Sequence, residues 1–227
     1  MPHRRPRHLT PRPAGAAAVF DARFITGLAD GAAVATWADL TANARNATQA
    51  TGANQPLYKT AIKGGCPVVR FDGTNDVLTT AAFTLNQPST MFVVYVVNDN
   101  NNRTAIDALA ANTRRIFSFP SGGAQFSFVT MFAGTLQTNT AIARGNWVVV
   151  RATFNGASSR LSVNGIATTV SPGSSAASGI TIGDQGGAGA PLLGDIMSVS
   201  GVPGAMSEPL AKRFEQNYAR VAKIPCS

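Results

Sequence analysis

The chain has 227 residues and a formal net charge of +8, with 44% hydrophobic but only 13% charged residues. This length fits one large β domain as well as two small ones, and no linker divides the sequence. Gly, Ala, Thr, Val and Asn are abundant, which favours a turn-rich β-sandwich and excludes a mainly helical or disordered chain. The longest apolar run, residues 91–97, is far shorter than the roughly 20 residues of a membrane-spanning helix.

The N-terminal arm, residues 1–15, is basic and rich in proline, and Arg4, Arg5, Arg7 and Arg12 supply half of the formal net charge. Such an arm can dock on an acidic protein surface or contact phosphates, and a solvated, disordered leader is the alternative. It has no apolar segment of about 7 to 15 residues, so it does not predict a secretory signal. The rest of the chain has no basic stripe interleaved with aromatic residues, which argues against nucleic-acid binding.

The next segments alternate strand and turn signals. A first strand is predicted at residues 16–24, with Phe20 and Phe24 as core anchors. The run 89–97, STMFVVYVV, is almost continuously apolar and therefore predicts a central strand buried on both faces. The spacing of the strands predicts an all-β, antiparallel double sheet. Its other strands are expected at residues 68–71, 77–80, 116–120, 126–132, 147–154, 160–163, 180–183 and 194–199.

A helix closes the chain. Ser207 predicts an N-cap and Pro209 fits the first turn, so the helix should run to about residue 222. We expect its apolar stripe to pack on the edge of the sandwich, and binding of a partner is the alternative. The stripe consists of Leu210, Phe214, Tyr218 and Val221.

Two segments resemble a known family. Residues 146–222 contain a Trp-led strand, the hairpin RLSVNG, the strand GITIG, a G-D-I strand and the helix, in that order. Residues 36–78 contain W-A-D, N-A-T-Q, Q-P-L-Y and VVRFDGTNDVL. Both resemble concanavalin A-like lectin/glucanase, or laminin-G-like, domains of the type found in bacteriophage structural proteins. The resemblance implies a jelly-roll β-sandwich over residues 16–205, with a C-terminal helix and tail, residues 206–227, packed on it.

The resemblance also implies a surface module that recognises glycans. An extracellular-type fold without a leader points to a virion released by cell lysis. We therefore expect a head or tail decoration, spike or fibre protein on the virion surface that binds host cell-surface polysaccharide. One alternative is a purely structural capsid-decorating protein, held to other virion proteins by its basic arm. Another is a polysaccharide-degrading enzyme of the glucanase or lyase type, and self-association stays open.

The residue inventory argues against catalysis. Both histidines, His3 and His8, lie in the arm, so no Ser-His-Asp or Cys-His arrangement can be placed on the domain. Glycoside hydrolysis in the resembled family implies a strand with E-x-D-x-x-E and two carboxylates about 5 to 10 Å apart, and this motif is absent. The only glutamates, Glu208 and Glu215, belong to the predicted helix. The sequence therefore predicts a protein that is not an enzyme.

Two polar loops are candidate glycan-binding surfaces. Sugar hydroxyl groups are recognised by planar amides and carboxylates, and both loops are rich in these groups. Because neither loop contains an aromatic platform, a plain hairpin loop is the alternative for each. The candidate residues are Asn98, Asp99, Asn100, Asn101, Asn102 and Arg103 in the first loop, and Asp184 and Gln185 in the second.

The sequence D-G-T-N-D offers oxygen ligands for Ca²⁺ from Asp72, Asn75 and Asp76. A turn whose side chains cap their own backbone is the alternative. Cys66 and Cys226 cannot form a metal site by themselves. The resemblance places the two chain ends on neighbouring strands, so either a disulfide between these cysteines or two reduced thiols is expected.

Overall fold

The computed structural model describes residues 12–111, 113–120, 126–185 and 189–224. Within these ranges, the strands form two antiparallel sheets that face each other across a hydrophobic core, and one α-helix follows the last strand. The all-β sandwich with a C-terminal helix that the sequence predicts is confirmed. None of the helices in the described ranges has the length and apolar character that a bilayer crossing requires.

The strands of the two sheets are mostly short. Their bounds are β1 Ala18–Asp21, β2 Thr36–Trp37, β3 Ala47–Thr48, β4 Leu57–Lys63, β5 Cys66–Asp72, β6 Leu78–Thr80, β7 Ser89–Val97, β8 Arg103–Asp107, β9 Arg115–Pro120, β10 Phe126–Phe132, β11 Leu136–Ala143, β12 Val148–Phe154, β13 Ser159–Val163, β14 Ile166–Val170, β15 Thr181–Ile182 and β16 Leu193–Pro203. The first sheet has the strand order β14-β13-β12-β7-β16-β5-β4, with β1 also paired to β16, and the second has the order β11-β10-β9-β8-β15-β6-β3-β2.

Strand β7 is buried along its whole length, as the apolar run predicts. Val93 and Tyr95 belong to the core between the sheets, where the Tyr95 hydroxyl lies 3.0 Å from the hydroxyl of Ser118 on the second sheet. Phe92 and Val94 point to the other face and pack beneath the helix. The strand therefore contributes to two apolar clusters at once.

The first strand is shorter than predicted, and Phe24 is not a core residue. Asp21 ends β1 because its carboxylate accepts the backbone N–H of Arg23, which starts a 3-10 turn and leads the chain out of the sheet. Phe20 is fully buried, whereas Phe24 is 43% exposed. The guanidinium of Arg12 lies 5.3 Å from the centroid of the Phe24 ring, on the outside of the sandwich.

Helix α1, Glu208–Ala222, covers the outer face of the first sheet. Its start agrees with the prediction, although the Ser207 side chain makes no capping hydrogen bond. The predicted apolar stripe is wrong at its first member, because Leu210 is 44% exposed. The residues that are buried are Ala211, Glu215, Tyr218, Ala219 and Ala222.

A buried ionic network lies on the face of α1 that contacts the sheet. Glu215 is fully buried, and one of its oxygens lies 3.3 Å from Nε of Arg151 on β12. Its other oxygen accepts hydrogen bonds from Ser162 Oγ and from the backbone N–H of Gly165, at 2.7 and 2.8 Å. Glu208 binds both Nη atoms of Arg151 at 2.8 Å. The face of α1 that meets the sheet therefore combines this charged contact with apolar packing.

Several predictions concern residues 1–11 and 225–227, which lie outside the described ranges. The anchoring role of Arg4, Arg5 and Arg7 stays a prediction, as do the domain boundaries. The same holds for the disulfide, since Cys226 is among these residues. Its predicted partner Cys66 is half-buried, next to the last turn of α1.

Glu215→Gln should lower the free energy of unfolding by about 3 kcal/mol, because it leaves the buried guanidinium of Arg151 only partly compensated. Urea unfolding followed by circular dichroism measures the loss. Asp30→Asn is the control, since it removes the exposed ion pair with Lys59 and should cost much less. Equal effects of the two substitutions would contradict this account of the helix.

Candidate functional site

A groove of about 490 Å³ opens at one end of the first sheet. It lies where β5 and β7 end and β16 begins, so that three distant parts of the chain meet there. We call it the strand-end groove. Its lining residues are Ala53, Gln55, Leu57, Arg70, Phe71, Asp72, Asp76, Asn98 and Leu193.

The groove joins residues that the sequence assigns to two separate sites. Asp72 and Asp76 come from the predicted calcium loop, and Asn98 comes from the predicted glycan-binding loop. Sequence reasoning missed Gln55 and Arg70. No local signal marks them. Gln55 lies two residues before β4, which pairs with β5 as a hairpin, and Arg70 meets Asp195 only through the long-range pairing of β5 with β16.

Four polar side chains at the groove have capacity for further hydrogen bonds. Arg70 uses Nε and Nη2 to bind Asp195, at 2.7 and 3.0 Å, and its Nη1 has no hydrogen-bond partner in the described part of the chain. Within the same ranges, the exposed side-chain amide of Asn98 has none either. One carboxylate oxygen of Asp72 and one of Asp76 are also unused there.

The D-G-T-N-D loop is a self-capped turn. Asp72 Oδ1 accepts the backbone N–H groups of Thr74 and Asn75, at 2.8 and 3.3 Å, and Asp76 Oδ2 accepts the N–H of Asp72 at 2.8 Å. Calcium takes roughly six to eight oxygen ligands. The described residues contain no group of three His, Cys, Asp or Glu side chains arranged to hold a metal ion. The loop therefore caps its own backbone as a turn, and the role of Asp72, Asn75 and Asp76 as calcium ligands stays a prediction.

Asp76 is an unusual acid at this site. Burial raises its pKa to about 6; the hydrogen bond from the Asp72 N–H opposes this rise, and the charge of the Asp72 carboxylate adds to it. Near neutral pH the buried group is therefore mostly ionised, at a cost to the folded state. Carboxyl groups with raised pKa values are concentrated at functional sites, which supports the choice of this groove.

Arg103, predicted to contact glycan, instead fastens the loops around the groove. Its Nε and Nη2 bind the carboxylate of Asp99, and its Nη1 donates to the carbonyl oxygens of Gly73 and Pro191, at 2.9 and 2.6 Å. The amide of Asn101 donates to the same Asp99 at 2.7 Å. One guanidinium therefore joins three loops, and Arg103 and Asp99 position the groove without lining it.

The remaining asparagines of this loop also lie outside the groove lining. Asn101 and Asn102 are exposed, and Asn100 is half-buried. Only Asn98, directly after β7, reaches the groove. The strand end rather than the loop tip therefore supplies the candidate contact.

Asp184 and Gln185, predicted as glycan contacts, are only 8% and 7% exposed and lie outside the lining of the strand-end groove. Asp184 Oδ1 accepts the backbone N–H groups of Gln185 and Ala190, at 2.7 and 3.1 Å. Gln185 Oε1 accepts a hydrogen bond from Nη1 of Arg115. Both side chains hold their own loop in place.

No protein-family model and no curated protein matches the sequence. Solved structures do share the fold. The chain is similar to a GH54 α-L-arabinofuranosidase soaked with 4-nitrophenyl α-L-arabinofuranoside, with TM-score 0.64 and 14% identity over 84% of this chain and 51% of that chain. It is also similar to Trypanosoma rangeli sialidase in complex with sialic acid, with TM-score 0.58 and 10% identity over 92% and 33%. Domain 4 of AbnA, an extracellular GH43 arabinanase from Geobacillus stearothermophilus, in complex with arabinotriose, aligns with TM-score 0.57 and 12% identity over 83% and 100%.

These similarities correct the prediction that the protein is not an enzyme. Chains that share this fold include arabinofuranosidases and a sialidase, so the absence of E-x-D-x-x-E does not exclude enzymatic chemistry. At these identities the likeness shows the fold, and the chain spans about half of the arabinofuranosidase and a third of the sialidase. An enzymatic role is therefore left open. The concanavalin A-like family and the phage origin remain predictions.

Asp76→Asn should stabilise the protein by about 1 to 2 kcal/mol near pH 7.5, because the folded-state pKa lies above the unfolded value. Between about pH 4 and 6 the folded state holds more protons than the unfolded state, so the stability contributed by this group falls as pH rises. The gain of the variant should therefore shrink through this range and vanish below about pH 4, where the carboxyl group is protonated in both states. Thermal unfolding across this pH range measures it.

Asp30→Asn is the matched control for this titration. Its carboxylate has a lowered pKa of about 2, mainly through its hydrogen bond from Lys59, so removing its charge should not stabilise the protein near pH 7.5. A gain in Asp76→Asn that did not change with pH would contradict the assigned cause.

Proposed function

We propose that this domain binds carbohydrate through the strand-end groove. The observation that carries the proposal is the set of unused planar polar groups around it, contributed by Arg70, Asp72, Asp76 and Asn98. A sugar hydroxyl donates one hydrogen bond and accepts others. Carboxylate oxygens next to amide and guanidinium N–H groups therefore satisfy neighbouring hydroxyls on one ring.

The size and apolar surface of the groove also suit a small saccharide. Its volume of about 490 Å³ falls within the range of roughly 300 to 1,000 Å³ that is usual for small-molecule sites. Leu57, which is 40% exposed, and Leu193 supply apolar contact for the C–H face of a ring. The aromatic residue of the lining, Phe71, is buried and offers no stacking platform. We expect weak binding, with a Kd of roughly 0.1 mM or more.

The structural neighbours support carbohydrate over other ligand classes. Domain 4 of the arabinanase is a complex with arabinotriose, and it matches this chain over the whole of its own length. An arabinofuranosidase complexed with arabinofuranosyl-α-1,2-xylobiose and a sialidase in complex with sialic acid share the fold as well. Each ligand belongs to the protein named with it, and the class they have in common motivates the proposal.

We further propose that the glycan belongs to a host cell-surface polysaccharide and that the domain is displayed on a virion. The motifs in residues 36–78 and 146–222, which resemble domains of bacteriophage structural proteins, support this setting. The basic arm, with Arg4, Arg5, Arg7 and Arg12, would contact other virion proteins. Capsid decoration without sugar binding is the outcome that a failure of the binding test would favour.

Asn98→Ala should weaken binding of the full-length protein to its best oligosaccharide at least tenfold, because the groove loses an amide that both donates and accepts. A glycan panel followed by titration calorimetry measures the change. Asn102→Ala is the matched control, since Asn102 lies in the same loop, is exposed and does not line the groove. Its affinity should equal that of the unmodified protein.

Two results would count against the proposal. Absence of binding across the panel would remove the carbohydrate function, and equal losses in both asparagine variants would place the site elsewhere. Release of reducing ends from the same glycans, measured in parallel, decides whether the domain also cleaves what it binds.

A further inference from the structure

Among the described residues, Arg70 is the one cation in the lining of the groove, and it is already paired with a carboxylate. Arg70 and Asp195 form a two-point ion pair, Nε to Oδ1 at 2.7 Å and Nη2 to Oδ2 at 3.0 Å. Asp195 is 3% exposed and is the direct cross-strand neighbour of Arg70 in the pairing of β16 with β5. A two-point pair on rigid strands is firmly held. Arg70 can therefore donate a hydrogen bond through Nη1 but carries little net charge towards a ligand.

The two groove carboxylates have no such compensation. Neither Asp72 nor Asp76 forms an ion pair within the described ranges, and both accept hydrogen bonds from backbone N–H groups there. The next cation at the rim, Arg103, is bound to Asp99 through several contacts as short as 2.5 Å. Near pH 7.5 the groove therefore has an excess of negative charge.

We propose, resting on the carbohydrate function above, that Asp72 and Asp76 make the groove selective for glycans without acidic groups. A hydroxyl donates to either carboxylate without an electrostatic penalty. A uronate, sialate or sulfate group in the same place meets like charge at close range, and the described lining residues offer no unpaired cation to offset it. The two aspartates are therefore specificity-determining residues.

This local charge is opposite in sign to that of the whole chain. The formal net charge is +8, and the basic arm carries half of it. Long-range attraction of acidic glycans to the arm is screened beyond about 8 Å at physiological salt, whereas contact within the groove is not. Selectivity for neutral glycans should therefore become clearer as salt rises, while binding that depends on the arm should fade.

The test compares a neutral and an acidic panel on the full-length protein, by titration calorimetry near pH 7.5 at low and high NaCl. Arabinotriose, xylotriose and galactotriose form the neutral panel, and trigalacturonate and sialyllactose form the acidic one. Galactotriose and trigalacturonate, both α-1,4-linked, differ only in the oxidation of C6. We expect the best acidic glycan to bind at least tenfold more weakly than the best neutral one, a difference of about 1.4 kcal/mol.

Asp72→Asn and Asp76→Asn each remove one charge and keep an oxygen for the backbone N–H. Each should reduce the ratio of neutral-glycan to acidic-glycan affinity from about tenfold to about threefold, because it raises the relative affinity for acidic glycans. Glu208→Gln is the matched control, because it changes the net charge equally but lies on α1, outside the groove lining. The affinity ratio of this variant should equal that of the unmodified protein.

Acidic glycans that bind as tightly as neutral ones at high salt would overturn the inference and leave the carbohydrate function standing. The inference would also be overturned if the affinity ratio stayed at about tenfold in both aspartate variants, or if Glu208→Gln reduced the ratio to the same extent as they do. If no glycan of either panel binds, the proposed function itself fails, and this inference fails with it.

Discussion

Strand β16 pairs with β7 along one edge and with β5 and β1 along the other, and these pairings position the strand-end groove. Leu193 lies opposite Asp72, and the next residue, Gly194, lies opposite Val97. A Cβ at Gly194 would overlap the carbonyl oxygen of Val96, so glycine lets β16 lie against β7 here. A slip of one residue would send Arg70 to the opposite face of the sheet and dismantle the site.

The two faces of the first sheet are secured by different kinds of interaction. Apolar packing joins the inner face to the second sheet, whereas the outer face combines an apolar cluster with the buried ion pair of Arg151 and Glu215. A buried ion pair is costly to desolvate but fixes one orientation well. The groove therefore lies on a sheet that is covered on both sides, and loops rather than strands are free to vary around it.

Sequence patterns predicted the strands that are rich in apolar residues. Strand β7 has the expected bounds because its almost continuous apolar run has only one way to be buried, and the bounds of β10 also match the prediction. Strands β4 and β14 were missed, since most of their residues are exposed and carry no alternating pattern. Strands β2, β3, β8 and β11 were missed as well. Phe24 was misassigned because a capping carboxylate, rather than hydrophobicity, ends its strand.

Local sequence motifs identified some residues of the strand-end groove but not the groove itself. Asn98 and Asp72 stand out because each directly follows a predicted strand, and Asp76 stands out as part of the oxygen-rich D-G-T-N-D loop. These residues share a groove because β5 pairs with β16, more than a hundred residues away in sequence. The same pairing brings Arg70 to the groove. The burial of Glu215, Asp184 and Gln185 gave no signal either, because polar residues are normally assigned to the surface. Long-range pairing, which no local motif records, is what converts scattered polar residues into a site.

The location of bound carbohydrate tests the central claim most directly. Backbone amide chemical shifts of the ¹⁵N-labelled full-length protein can be followed while the tightest-binding oligosaccharide is added. We predict that the largest shifts cluster at residues 53–57, 70–76, 98 and 193, around the strand-end groove. Largest shifts on the second sheet or along α1, with the groove unchanged, would contradict the account.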